Sequence, residues 1–240
     1  MDDNPYYQPY YPPTPPRPTV PWRPRDVWLG AVAAAVILAV AWGLAYLLAS
    51  LSATAAPELW IVLFPAVFEL LFLAPVWLFT AHKYGASLRD LGFVRFRASA
   101  LGIGVLLLIA VYVVTAIYSV VLARYGLRAQ SDMSPVFEAL SSPWPLVVVI
   151  VIVAPVVEEV FFRGFVFAGL RGRYGWGAAA AVSAAMFAVF HLELTFFIPA
   201  FLLGLLFAYV YHRSNSIWPG MILHVMVNSL GVAAYYVLPD

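Results

Sequence analysis

Glu158, Glu159 and Arg163 fall within six residues of one another in a stretch that is otherwise apolar. On a helix, Glu159 and Arg163 are i and i+4 on one face, with the glutamate N-terminal to the cation, the favourable order. That pair can neutralise itself. Glu158 is turned about 100° away at 3.6 residues per turn. It has no local cation and needs a partner from another helix. A carboxylate so placed is suited to take a proton from water. Two further apolar segments carry polar groups at helical spacing, Phe187-x-x-x-His191 and His224-x-x-x-Asn228. An imidazole can share a water proton with a carboxylate, and an amide N–H can donate to an oxyanion. The same groups could also hold zinc or line a proton path, so residue types alone leave the chemistry open.

Helices must bring these groups to one depth. We take 1.5 Å rise per residue and helix feet at Leu170, Trp176 and Ile217. Glu158 then stands about 18 Å up, His191 about 22 Å and Asn228 about 17 Å, with His224 lower, at about 11 Å. Antiparallel packing therefore predicts Glu158, His191 and Asn228 at similar levels and His224 one turn below.

The composition identifies the solvent of those helices. Of 240 residues, 64% are hydrophobic and 10% are charged, where a soluble domain carries roughly 25% charged. A water-soluble enzyme is excluded. A net charge of +1 gives no basic footprint for nucleic acid. Without cysteine there is no disulfide, thiolate ligand or thiol nucleophile.

Residues 1–25 read as an extended, disordered tail with nine of the 19 prolines. Its first reading is a passive tail, and a docking segment for a proline-reading partner is the alternative. Residues 26–240 read as an all-α, polytopic membrane domain. Apolar stretches long enough to span run over Val27–Pro57, Leu59–Ala81, Ala98–Ala123, Pro145–Leu170, Gly177–Leu192, Leu194–Tyr211 and Ile217–Leu238. That is about seven transmembrane helices, or eight if the tight turn near Glu193 hides a further element. Arg17, Arg23, Arg25, Lys83, Arg89, Arg95, Arg97, Arg171, Arg173 and Arg213 fall on one side of these spans, and Arg124 and Arg128 on the other. The asymmetry predicts a cytoplasmic N-terminus, in what we take to be the cell membrane.

Glu158-Glu159-x-x-x-Arg163, Phe187-x-x-x-His191 and His224-x-x-x-Asn228, in that order, resemble the CAAX prenyl protease and bacteriocin-processing family of intramembrane glutamic endopeptidases. The likeness covers roughly 145–230, including Phe201-Leu202-Leu203-Gly204 and Ser216-Ile217-Trp218-Pro219-Gly220. It implies an endopeptidase acting on membrane-associated or lipidated peptides or proteins. Glu158 and His191 would activate water, His224 and Asn228 would hold the oxyanion, and Glu159 and Arg163 would support them. It implies no metal and no organic cofactor. Family members commonly have eight membrane helices; seven are counted here, and twelve residues follow Asn228.

Other readings are weaker on these residues. A zinc protease lacks a His-Glu-x-x-His pair and would set Arg163 beside the cation. A serine protease lacks a nucleophile setting, and Ser183 reads as a small packing residue. A proton-coupled transporter lacks the paired repeats expected of one, while a non-catalytic scaffold would not require the motifs. Glu69, alone in the second span, reads as a structural or cavity-lining group.

Overall fold

The computed structural model describes residues 20–51, 57–130 and 133–237, all helix and connecting loop without strands. Eight helices follow in order: α1 (Pro24–Leu51), α2 (Glu58–His82), α3 (Ala98–Ala123), the short α4 (Ser134–Glu138), α5 (Trp144–Tyr174), α6 (Trp176–Phe190), α7 (Phe197–Ser214) and α8 (Trp218–Val237). Six of them, all but α4 and α6, are long and apolar enough to cross a bilayer. The chain is a polytopic all-α membrane protein. Six of the seven predicted spans recur as these long helices, within a few residues at most ends, and the predicted Gly177–Leu192 span is the short α6. Most of the proline-rich tail lies outside the described residues.

The short seventh candidate matters for the site. At 15 residues, α6 is about 22 Å long, less than the roughly 30 Å of a bilayer core. Its end at Phe190 and the turn that follows therefore lie within the depth of the bundle. Backbone outside a helix is tolerated there only if buried in protein or lining a wet cavity. His191 and Phe196, which flank the turn near Glu193, line a cavity.

One end of the bundle is tied down. Gly175, at φ 82°, turns α5 into α6, and Asn215, in the left-handed region at φ 51°, closes α7. The Ile217 N–H donates to the Gly92 carbonyl at 2.9 Å, and Ser216 Oγ to the Val94 carbonyl at 2.7 Å. Arg171 donates to Asn215 Oδ1 at 2.9 Å. Asp26, buried at the foot of α1, receives Lys83 Nζ and the Tyr84 hydroxyl. That hydrogen bond and the carboxylate's charge hold the Lys83 ammonium above its ordinary range.

The predicted tail boundary at Arg25 needs correction. Trp22 is buried, packs against Phe165 and donates from its indole N–H to the Phe165 carbonyl at 3.0 Å. A large amphipathic ring with one donor finds both needs met in the bundle, so the packed domain begins before α1.

The largest departure from a simple reading is inside α5. Two segments, Val149–Val153 and Glu159–Phe167, are π-helical, separated by a turn of α-helix at Ala154–Glu158. Pro155 lacks an N–H, and its ring crowds the carbonyl four residues earlier. Widening the turn just before it relieves that clash. The longer π segment is buried throughout, and buried phenylalanines from α5 to α7 pack around it.

Candidate active site

The wide turns of α5 free backbone carbonyls that other helices then use. The Ala154 N–H bonds to the Val149 carbonyl, five residues back. The π-type partner of the next carbonyl, Ile150, would be Pro155, which has no N–H. Asn228 of α8 fills the gap, donating from Nδ2 to the Ile150 carbonyl at 2.8 Å. Ser183 of α6 also donates to a π-helical carbonyl, that of Phe162, at 2.7 Å from Oγ. Ser183 thus packs as its size predicts and also satisfies the π-helix.

Glu159 and Arg163 form the predicted pair, Nη1 to Oε1 at 2.9 Å, and neither is exposed. Arg163 also donates to the Gly204 carbonyl at 3.3 Å. Its guanidinium lies 4.6 Å from the centre of the Phe187 ring and 5.1 Å from that of Phe207. Weakly hydrated, planar and able to stack, arginine suits such a buried, aromatic-walled position. Two glycines make room. A Cβ on Gly220 would lie 2.7 Å from Glu159 Oε2, and one on Gly204 would lie 2.8 Å from the Ala184 backbone.

Phe187 is the hub of the three motifs. His191 packs on its ring at 4.7 Å and His224 at 5.7 Å, centre to centre, alongside Arg163. His191 Nδ1 lies 2.7 Å from the Phe187 carbonyl. A carbonyl only accepts, so Nδ1 carries the proton and Nε2 keeps its lone pair. His191 opens on a cavity of about 1150 Å³. Asn228, Tyr112, Thr115, Arg128, Glu138 and Tyr235 are among its other lining groups.

The structure pairs Glu158 with a different histidine from the one that depth suggests. His224 Nε2 stands 3.5 Å from Glu158 Oε2, and His224 Nδ1 stands 3.5 Å from Glu159 Oε1. The imidazole bridges both glutamates while stacking on Phe207 at 4.9 Å. A π-helix fits more residues into each turn than an α-helix. The nine π residues beneath Glu158 therefore shorten that stretch and lower Glu158 toward His224. His191 and Asn228 instead share the cavity. Glu158 keeps 16% of its side chain accessible, so it is not sealed from water. Among the described residues, no three His, Asp or Glu side chains stand close enough to share a metal ion.

Gly204 and Gly220 entered the sequence reading only as part of the likeness, without a positioning role, and Trp22, Phe207 and the Ile150 carbonyl escaped it. The Pro155 ring was the only local signal for the last of these.

Residues 140–230 match the family described as Rce1-like, type II CAAX prenyl endopeptidase. The chain is also 27% identical over 109 residues to the protein named "Putative membrane peptidase YdiL" of Bacillus subtilis (strain 168), 45% of either chain being covered. The match thus spans under half the length of that relative. No solved structure matches. The matched segment holds every residue of the three motifs, from Glu158 to Asn228, and supports the resemblance to the CAAX prenyl protease and bacteriocin-processing family.

Proposed function

We propose that the chain is a membrane endopeptidase that hydrolyses peptide bonds of membrane-associated or lipidated substrates with a water activated by Glu158 and His191. One observation carries this reading. His191 has its Nδ1 proton committed to the Phe187 carbonyl and its Nε2 lone pair free, at the wall of a cavity of about 1150 Å³. That is the state a general base needs, and the volume suits an extended peptide.

In this mechanism a water proton passes to Glu158 or to His191 Nε2 as the water oxygen bonds to the scissile carbonyl carbon. The carbonyl electron pair moves onto its oxygen. Asn228 has one amide N–H on Ile150 and a second to offer that oxyanion. A donor at a developing oxyanion contributes roughly 3–4 kcal/mol. Collapse breaks the C–N bond, and the proton goes to the leaving nitrogen. The family resemblance makes His224 a second oxyanion donor. With both ring nitrogens 3.5 Å from carboxylates, its geometry favours orienting Glu158 instead. Glu159 and Arg163 hold that imidazole in place.

The test is a comparison of peptide ends in membranes of cells carrying the wild-type chain or Glu158→Ala. We expect a set of cleavages that disappears with the variant while the protein is still made and folded. Cleavage unchanged in Glu158→Ala would remove Glu158 from the reaction.

A further inference from the structure

The turn from α6 to α7 begins at His191 and ends at Phe196. Its backbone is held in a strained form. Leu192 has φ 55°, in the left-handed region that a residue with a Cβ avoids. Such strain persists only where the surroundings impose it. Leu192 is 63% exposed and Leu194 89%, so the packing of these two side chains does not impose it.

A hold comes from α3. The half-buried Tyr118 donates from its hydroxyl to the Thr195 carbonyl at 3.0 Å. Within a helix that carbonyl would take the N–H four residues on. Four residues on is Pro199, which has no N–H. The next bond in line is made, from the Ala200 N–H to the Phe196 carbonyl at 2.9 Å. The ladder of α7 therefore cannot extend back to Thr195, and Tyr118 meets its carbonyl from another helix, as Asn228 meets that of Ile150. The bond bears on His191 through the next residue. Phe196 packs its ring on the His191 imidazole at 5.3 Å, and Phe187 packs on the same imidazole at 4.7 Å. One of these contacts belongs to α6. The other depends on where the turn sets Phe196. Tyr112 and Thr115, on the same helix as Tyr118, line the cavity together with His191 and Phe196.

Resting on the protease reading, we propose that Tyr118 is a positioning residue for His191. By holding the Thr195 carbonyl it sets Phe196 against the imidazole and keeps Nε2 toward the cavity. Tyr118 acts through the turn and touches no reacting atom.

The experiment uses the purified full-length chain in lipid nanodiscs, with isotope-labelled histidine and nuclear magnetic resonance at mildly alkaline pH. The ring-nitrogen signals lost in His191→Gln identify this residue among the four histidines. The wild type should show a single neutral form with the proton on Nδ1. Tyr118→Phe, which removes only the hydroxyl, should mix the two tautomers or broaden these signals. His191 signals unchanged in Tyr118→Phe overturn the proposal. This reading needs no substrate.

A second arm follows cleavage at the sites that Glu158→Ala abolishes, at a temperature where thermal unfolding shows both proteins fully folded. Tyr118→Phe should lower kcat by about tenfold, short of the hundredfold that an ångström of misplacement costs, and leave KM within about twofold. Adding Pro199→Ala supplies a backbone N–H to the Thr195 carbonyl and should recover most of that loss. Wild-type kcat in Tyr118→Phe, or a rise in KM alone, refutes the positioning role. A double variant no faster than Tyr118→Phe shows that the hydroxyl does not act through Thr195 and refutes the route. If no Glu158-dependent cleavage exists, the protease reading falls, and the resonance arm alone decides whether Tyr118 sets His191.

Discussion

Arg163 is a cation that is completely buried in an apolar bundle, and it is tolerated because Glu159, the Gly204 carbonyl and two phenylalanine faces replace water around it. Removing one member of such a pair strands the other. We therefore expect Arg163→Leu to cost about 3–5 kcal/mol of stability. The measurement is thermal unfolding of the purified protein. Replacing both partners, as in Glu159→Leu with Arg163→Leu, should restore most of that loss and still leave His224 without its second carboxylate. A single variant as stable as wild type would show that the charge is met some other way. The sequence made this pair legible, because charge is so scarce that an i, i+4 Glu–Arg in an apolar stretch stands out. It did not make the Glu158–His224 contact legible. That contact depends on how far a helix rises between Glu158 and Leu170, and an α-helical ruler overestimates it.

Helix α5 is where regular geometry gives way. Its spans, ends and polar groups follow from hydropathy, yet nothing in runs of valine and phenylalanine announces a π-helix. The cause is partly local, at Pro155, and partly distant, in the Asn228 and Ser183 side chains that take the role of backbone donors. Pro155→Ala separates these causes. It restores an N–H within reach of the Ile150 carbonyl, which then has an intrahelical donor to compete with Asn228. We expect the protein to remain folded, since a helix-interior proline is itself unfavourable by about 3 kcal/mol. We also expect Asn228 to be released and Glu158-dependent cleavage to fall by about a hundredfold, as for a reacting group displaced by an ångström. Hydrogen exchange at position 155 and the cleavage assay read the two effects. Full activity in the variant, with its new backbone amide protected from exchange, would show that the wide turn serves packing alone.

At the level of the whole molecule, the described basic residues other than Arg163 divide between the two ends. Arg23, Arg25, Lys83, Arg89, Arg95, Arg97, Arg171, Arg173 and Arg213 share the tied end, whereas Arg124 and Arg128 lie at the end where the cavity opens. From the charge rule we propose that the tied end is cytoplasmic. The chain has no cysteine, so single-cysteine variants need no other change. A membrane-impermeant maleimide should label Ser142→Cys in intact cells and Leu88→Cys only after lysis; both positions are exposed. The reverse pattern would invert the orientation and put the cavity mouth on the cytoplasmic side.

The bonds that join Ile217 to Gly92 and Ser216 to Val94 clamp α8 at its first residues. From there the helix runs 20 residues, about 30 Å, toward the cavity end. It is a lever with a fixed fulcrum. A tilt of about 5° at the clamp carries the far tip some 2–3 Å over that length, and Asn228, near the middle, about half as far. Such a tilt would widen the mouth while Asn228, proposed for the oxyanion, moved by little more than an ångström, and His224, nearer the fulcrum, by less.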